Sequence, residues 1–235
     1  MNETPMFENL RHGEKSDIGL CRHNNEDHFL IVDRRCDRYD PRRGPLFVIA
    51  DGLGGHAAGE VASRMACEET VSAYYGDSPG SAGPAAGDEG SAGTLERAVW
   101  AAHQRILRAA GQREEWRGMG TTLSALALTG DRLLIAHVGD SRIYLCRAGA
   151  CRQLTVDHTR SQFLIDSGRL VPDDEGRLFG NHILTRALGG YGDLDEVFTR
   201  EEEARAGDRF LLCTDGLHGC VTDDEIGRVV GSASP

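Results

Sequence analysis

Two periods govern where apolar residues fall along this chain. Short apolar runs near 28–33 and 46–50, at Thr121–Leu128, Arg132–Val138 and Arg142–Cys146 predict buried strands. Turns at Thr129-Gly-Asp and Gly139-Asp-Ser separate the last three and predict a meander. A helical period replaces this over Gly59–Tyr75, where Val61, Met65, Ala66 and Val71 lie near helical spacing. It returns from Thr94, placed as an N-cap, to about Ala110, with Leu95, Val99, Ala102 and Ile106 on one face. Helical and loop segments follow over about 157–190. Strands are expected near Glu196–Thr199 and at Arg209–Thr214, and a last helix from Asp223 behind the capping box Thr222-Asp-Asp-Glu. Strands grouped between helices favour antiparallel sheets in an α+β layer fold over an alternating βαβ fold.

Residues 76–93, rich in Gly, Ser, Ala and Pro, are expected to form a flexible surface loop between the first two helices. With 235 residues the chain can build one large core or two small ones. Its net charge of −11 argues against nucleic-acid binding, which needs phosphate neutralisation. No apolar run approaches the roughly 20 residues of a membrane span, and the polar stretch Met1–Ser16 lacks the apolar segment of a secretory signal. The seven cysteines are odd in number, dispersed and without a Cys-x-x-Cys, so neither a zinc site nor a disulfide framework is expected. Reduced thiols in a cytoplasmic protein are the default reading.

The chemistry concentrates at strand ends. Leu46-Phe-Val-Ile-Ala-Asp51-Gly-Leu and Phe210-Leu-Leu-Cys-Thr-Asp215-Gly-Leu each end in Asp-Gly-Leu. Arg22-His-Asn-Asn-Glu26-Asp27 and Gly139-Asp140-Ser-Arg142 add two more acidic segments. Carboxylates clustered without His or Cys favour hard cations such as Mg²⁺ or Mn²⁺. Without cations they would repel one another. Arg22 offers a planar fork suited to a phosphoryl group.

Seven motifs occur in order: Ser16-Asp-Ile-Gly-x-x-Arg22-x-x-Asn-Glu26-Asp27; Val48-Ile-Ala-Asp51-Gly-Leu-Gly-Gly-His56-x-x-Gly59-Glu60-x-Ala-Ser63; Gly118-Met-Gly-Thr-Thr122; Val138-Gly-Asp140-Ser-Arg142-x-Tyr144; Leu154-Thr-x-Asp157-His158; Leu184-Thr-Arg-Ala-Leu-Gly189; and Leu211-Leu-Cys-Thr-Asp215-Gly-Leu217. From about Ser16 to Ile226 this series resembles the type 2C metal-dependent serine/threonine protein phosphatases, the PPM family, in their bacterial form. The resemblance implies a four-layer α-β-β-α sandwich of two antiparallel sheets flanked by helix pairs. It implies a centre of two Mn²⁺ or Mg²⁺ ions with a third, weaker site. Asp51 would bridge the two metals, Glu26 and the Gly52 carbonyl would complete one site, and Asp215 would serve the other. Asp140 would help form the third, Asp27 would support metal-bound water, and Arg22 would bind substrate phosphate. Implied too are hydrolysis of phosphoserine and phosphothreonine in proteins by a metal-bridging hydroxide, a flap at about 161–181, and a kinase or its substrates as partners of a monomer. In domain terms, 1–15 is an N-terminal extension and 16–235 a single phosphatase domain.

Three departures bear on this. Leu53 stands where some family members carry a His as leaving-group acid, and a metal-bound water is favoured over His56 for that role. The terminal Gly-Gly-x-Asp-Asn segment of the family and its final apolar strand are not found, so the last strand is expected to be missing and one metal site to lack a ligand. The simpler reading is a phosphatase domain incomplete at its C-terminus, a fragment of a longer gene product; the alternative is a non-catalytic, phosphatase-like phosphoprotein-binding or regulatory protein. A third reading, a dinucleotide fingerprint in Gly52-Leu-Gly54-Gly-His-Ala57, is disfavoured, because no parallel strand is expected after the helix and Asp51 would repel a pyrophosphate.

Overall fold

The computed structural model describes residues 10–20, 22–53, 58–76, 92–170, 183–190 and 194–232. Strand β1 (Asp27–Val32) pairs antiparallel with β2 (Leu46–Leu53). Helices α1 (Gly59–Tyr75) and α2 (Ala92–Ala110) follow. A single 3-10 turn at Glu114–Trp116 leads to β3 (Gly120–Thr121), β4 (Leu123–Thr129), β5 (Arg132–Val138), β6 (Arg142–Arg147) and β7 (Ala150–Gln153). Then come α3 (Arg160–Asp166), β8 (Leu188–Gly189), β9 (Phe198–Glu203), β10 (Arg209–Cys213), α4 (Asp215–His218) and α5 (Asp223–Ser232). The larger sheet runs β8-β3-β2-β4-β5-β9 with β1 also on β2; the smaller runs β10-β6-β7. Every pairing is antiparallel.

Alternation along the central strands explains why they read as unbroken apolar runs. On β4, Leu126 and Leu128 join a core with Ile143, Leu145 and Leu154 of the smaller-sheet side. Their neighbours Leu123, Ala125 and Ala127 face the opposite way, toward Ala66, Val71, Leu95 and Ile106 of α1 and α2. β5 divides likewise, Leu133 and Ile135 between the sheets and Leu134, Ala136 and Val138 under the helices. Strands buried on both faces need apolar residues at every position. A third core, of Tyr144, Cys213 and Ile226 with Cys151 and Val230 against it, seats α5 on the outer face of the smaller sheet. The expected α-β-β-α layering is therefore present, with seven strands against three among the described residues.

Several local expectations need correction. Thr94 is not an N-cap: α2 begins at Ala92, and Thr94 is buried in its first turn, accepting a bond from the Arg97 guanidinium at 3.0 Å. The two Asp-Gly-Leu copies differ in structure. β2 runs straight through Asp51, Gly52 and Leu53, whereas β10 stops at Cys213 and Asp215 opens α4. Of the expected loop at 76–93, residues 77–91 lie outside the described residues, as do 171–181 of the expected flap and His56.

Candidate functional site

Asp51 sits opposite Asp27 in the β1–β2 ladder, so two carboxylates face each other by strand register alone. Its backbone is clamped on the far side. The Asp51 N–H donates to Thr122 Oγ1 at 3.0 Å, and its carbonyl accepts from Thr121 Oγ1 at 2.8 Å and from the Thr122 N–H at 2.9 Å. Gly52 is obligatory for close packing: a Cβ there would lie 2.3 Å from the Gly59 carbonyl oxygen and 2.8 Å from that of Glu26. Glu26 is held by its carbonyl, which accepts from Gly52 N–H at 3.1 Å and Ser63 Oγ at 2.6 Å, and its carboxylate packs over Gly59 at the entry to α1.

The second sheet supplies Asp140 and Asp215. Asp140 sits in the β5–β6 turn, where Gly139 adopts φ +109°. That conformation suits glycine, and a Cβ would also meet Thr122 at 2.6 Å. Thr122 Oγ1 contacts Ser141 Oγ at 2.7 Å, Ser124 Oγ bonds the Ser141 carbonyl at 2.9 Å and His137 Nδ1 at 2.8 Å, and Gly139 N–H donates to His158 Nδ1 at 3.1 Å. The Asp140 carbonyl meets His218 Nε2 of α4 at 2.9 Å. Across the sheets, Thr214 Oγ1 donates to Asp27 Oδ2 at 2.8 Å. Arg142, by contrast, is committed to structure: its Nε and NH2 grip Asp157 at 3.0 and 2.6 Å, and Tyr144 OH bonds Asp223 at 2.9 Å.

Arg22, Glu26, Asp27, Asp51, Gly52, Asp140 and Asp215 all line one open groove of about 2210 Å³ between the sheets. Arg22 is exposed. Burial pushes the Asp51 carboxyl up to about 8, aided by the charges of Asp27, Asp215 and Asp140 and by a hydrogen bond with Asp215. Burial likewise raises Asp140 to about 7, with Asp215 and Asp157 adding to it, and raises Asp27 against the opposing bond from Thr214. Burial and crowding thus favour the protonated forms of Asp51 and Asp140. Thr121, Thr122, Ser141, Thr214 and His218 position these acids. Sequence reasoning assigned none of them a role, although four lie within the quoted motifs and His218 directly follows one.

The protein phosphatase 2C family model matches residues 33–229. The chain belongs to this family. It is 40% identical over 217 residues to the serine/threonine protein phosphatase PstP of Mycobacterium tuberculosis, covering 92% of this chain but 38% of that protein. The chain thus spans well under half the length of this relative. It is 34% identical to the protein phosphatase PhpP of Streptococcus pneumoniae, over 94% of this chain and 84% of that one. Among solved structures, the PstP phosphatase aligns with a TM-score of 0.74 at 40% identity, covering 91% and 82% of the two chains. A structure of the PstP catalytic domain in complex with two manganese ions aligns at 0.70 over 91% and 81%. The relatives it matches are named as protein phosphatases, PstP as a serine/threonine protein phosphatase.

The phosphatase 2C membership does not carry the expected metal centre with it. Among the described residues, no group of three or more His, Cys, Asp or Glu side chains is arranged to hold a metal ion. The expectation of two Mn²⁺ or Mg²⁺ ions with a third weaker site is overturned, and with it hydrolysis by a metal-bridging hydroxide and the description of the chain as metal-binding.

Proposed function

We propose that this chain is a phosphatase-like, phosphoprotein-binding or regulatory unit that engages phosphoserine and phosphothreonine without the two-metal reaction. One observation carries this reading: within a phosphatase 2C fold, the groove-lining acids have no metal-holding group among the described residues, while Arg22 stands exposed at the same groove. A guanidinium can take two phosphate oxygens in parallel. A protonated Asp51 spares the phosphate the repulsion of a bare carboxylate and can donate a hydrogen bond. The partners are phosphoproteins, namely a serine/threonine kinase or that kinase's substrates, and the protein acts as a cytoplasmic monomer with 16–235 as its one domain. Family membership supports protein substrates, and no helix among the described residues is long and apolar enough to cross a membrane.

Calorimetric titration with a phosphothreonine peptide and its unphosphorylated twin, in chelator, tests this. Binding should require the phosphate, and Arg22→Ala should weaken it about 10- to 100-fold, the range of a charge-assisted hydrogen bond. Equal binding of both peptides, or an Arg22→Ala variant that binds like the parent, would remove the proposal.

A further inference from the structure

The reading of all seven cysteines as reduced thiols is corrected by a bond between Cys146 and Cys151. The two are cross-strand partners in the β6–β7 hairpin, their Cα atoms 4.0 Å apart. A five-residue separation across a tight hairpin has no sequence signature comparable to Cys-x-x-Cys, which is why spacing did not reveal it. The hairpin turn brings the two sulfurs together through backbone pairing, Arg147 opposite Ala150, so the pair is pre-organised for bond formation. Cys146 is 4% exposed, while Cys151 is partly exposed. The pair also touches another element: a Cβ on Gly227 of α5 would lie 3.1 Å from the Cys151 Cβ, and Cys151 packs into the core that seats α5.

We propose that Cys146 and Cys151 form a thiol–disulfide exchange site that reacts with low-molecular-weight disulfides and whose state sets how firmly α5 is held. The Cys151 thiolate, on the accessible side, attacks one sulfur of the small disulfide and forms a mixed disulfide, expelling one small thiolate. Cys146, deprotonated as it attacks, displaces the second small thiolate from Cys151 and leaves the protein disulfide. Two protein thiols are oxidised and one small disulfide is reduced to two thiols, so atoms and electrons balance. Reduction frees the Cys151 side chain within the core that seats α5, beside Gly227. The other described thiols are placed differently. Cys67 and Cys213 are buried, and burial pushes both thiols up, Cys213 to about 12. Cys36 and Cys220 are exposed and unbonded.

Reduced full-length protein is incubated with oxidised glutathione, then denatured, alkylated and mapped by peptide mass spectrometry. Cys146 and Cys151 should be recovered in one linked peptide, whereas the exposed Cys36 and Cys220 should carry single glutathionyl groups or alkyl groups and no protein crosslink. Cys146→Ser should accumulate a glutathionyl group on Cys151, and Cys151→Ser none on Cys146. Amide exchange over 223–232 should be faster in the reduced wild type than in the oxidised. Seven alkylated cysteines, a bond formed elsewhere, an adduct on Cys146 in Cys151→Ser, or equal exchange of α5 in both states would each overturn the proposal. Since the wild type carries the linkage and exchange readouts, a poorly folding variant does not blunt the test.

Discussion

Asp51 is the residue on which the site turns. Its folded-state value near 8 lies far above the ordinary 3.8, so the folded protein binds a proton there that the unfolded chain releases. Stability is therefore reduced above about pH 8, where the carboxylate must be buried charged, and the penalty fades as pH falls toward 4. Asp51→Asn should raise the melting temperature by several degrees at pH 8.5, on the order of 1–2 kcal/mol, and by much less at pH 5. A melting temperature at pH 8.5 equal to or below the parent's would contradict the burial and crowding described. Gly52 is the contrasting case. Gly52→Ala places a methyl against two backbone carbonyls, of Gly59 and Glu26, which cannot move aside as side chains do. It should destabilise by about 3 kcal/mol or more, at the upper end of overpacking, as a lowered denaturant midpoint would record.

At the scale of elements, the paired cores make the central strands sensitive. Ile135 is fully buried between the sheets with Leu126, Leu128 and Ile143, so Ile135→Ala should cost about 2–5 kcal/mol in urea unfolding. An exposed position such as Val229 should tolerate the same truncation to within about 0.5 kcal/mol. The elements legible in sequence were those with long, strong periods. Helix α1 was read to the residue and β5 likewise, because seven or more positions of one period outweigh local ambiguity. The capping box of α5 was also legible: Thr222 N–H donates to Glu225 Oε2 at 2.8 Å, and Glu225 N–H to Thr222 Oγ1 at 3.3 Å. β3, β7 and β8 were missed, since two to four residues display no period. Nor could one dipeptide pattern tell that Asp51-Gly continues a strand while Asp215-Gly starts a helical turn; pairing with β3 decides the first. Seven acidic, glycine and arginine positions lining one groove were within reach of sequence, but not the bond from Thr214 to Asp27 or the crowding that raises Asp51, because both depend on how the two sheets meet.

Across the whole molecule, two sets of buried groups pull stability in opposite directions with pH. His137 and His158, 5.0 Å apart, are held neutral, burial lowering them to about 3 and about 4. The unfolded chain protonates them below about 6.5, so their contribution is present above that pH and is lost as pH falls toward 4 and 3. Asp51 and Asp140 act the other way, adding stability as pH falls from about 8 toward 4. Melting temperature should rise as pH falls from 9 to about 6.5, stay nearly level to about 4, and then fall; His137→Gln should turn the level stretch into a further rise as pH falls from 6.5 to 4. A steady rise of melting temperature with pH from 4 to 9 would show that the acids are not raised.

The family match places the chain in the protein phosphatase 2C family, while no metal-holding group of acids is found among its described residues. The most direct test of that claim is calorimetric titration of the protein with Mn²⁺ at pH 7.5. The structure predicts no saturable binding at micromolar to millimolar Mn²⁺. Saturable uptake of two ions, abolished by Asp51→Asn and accompanied by release of phosphate from a phosphothreonine peptide, would contradict it.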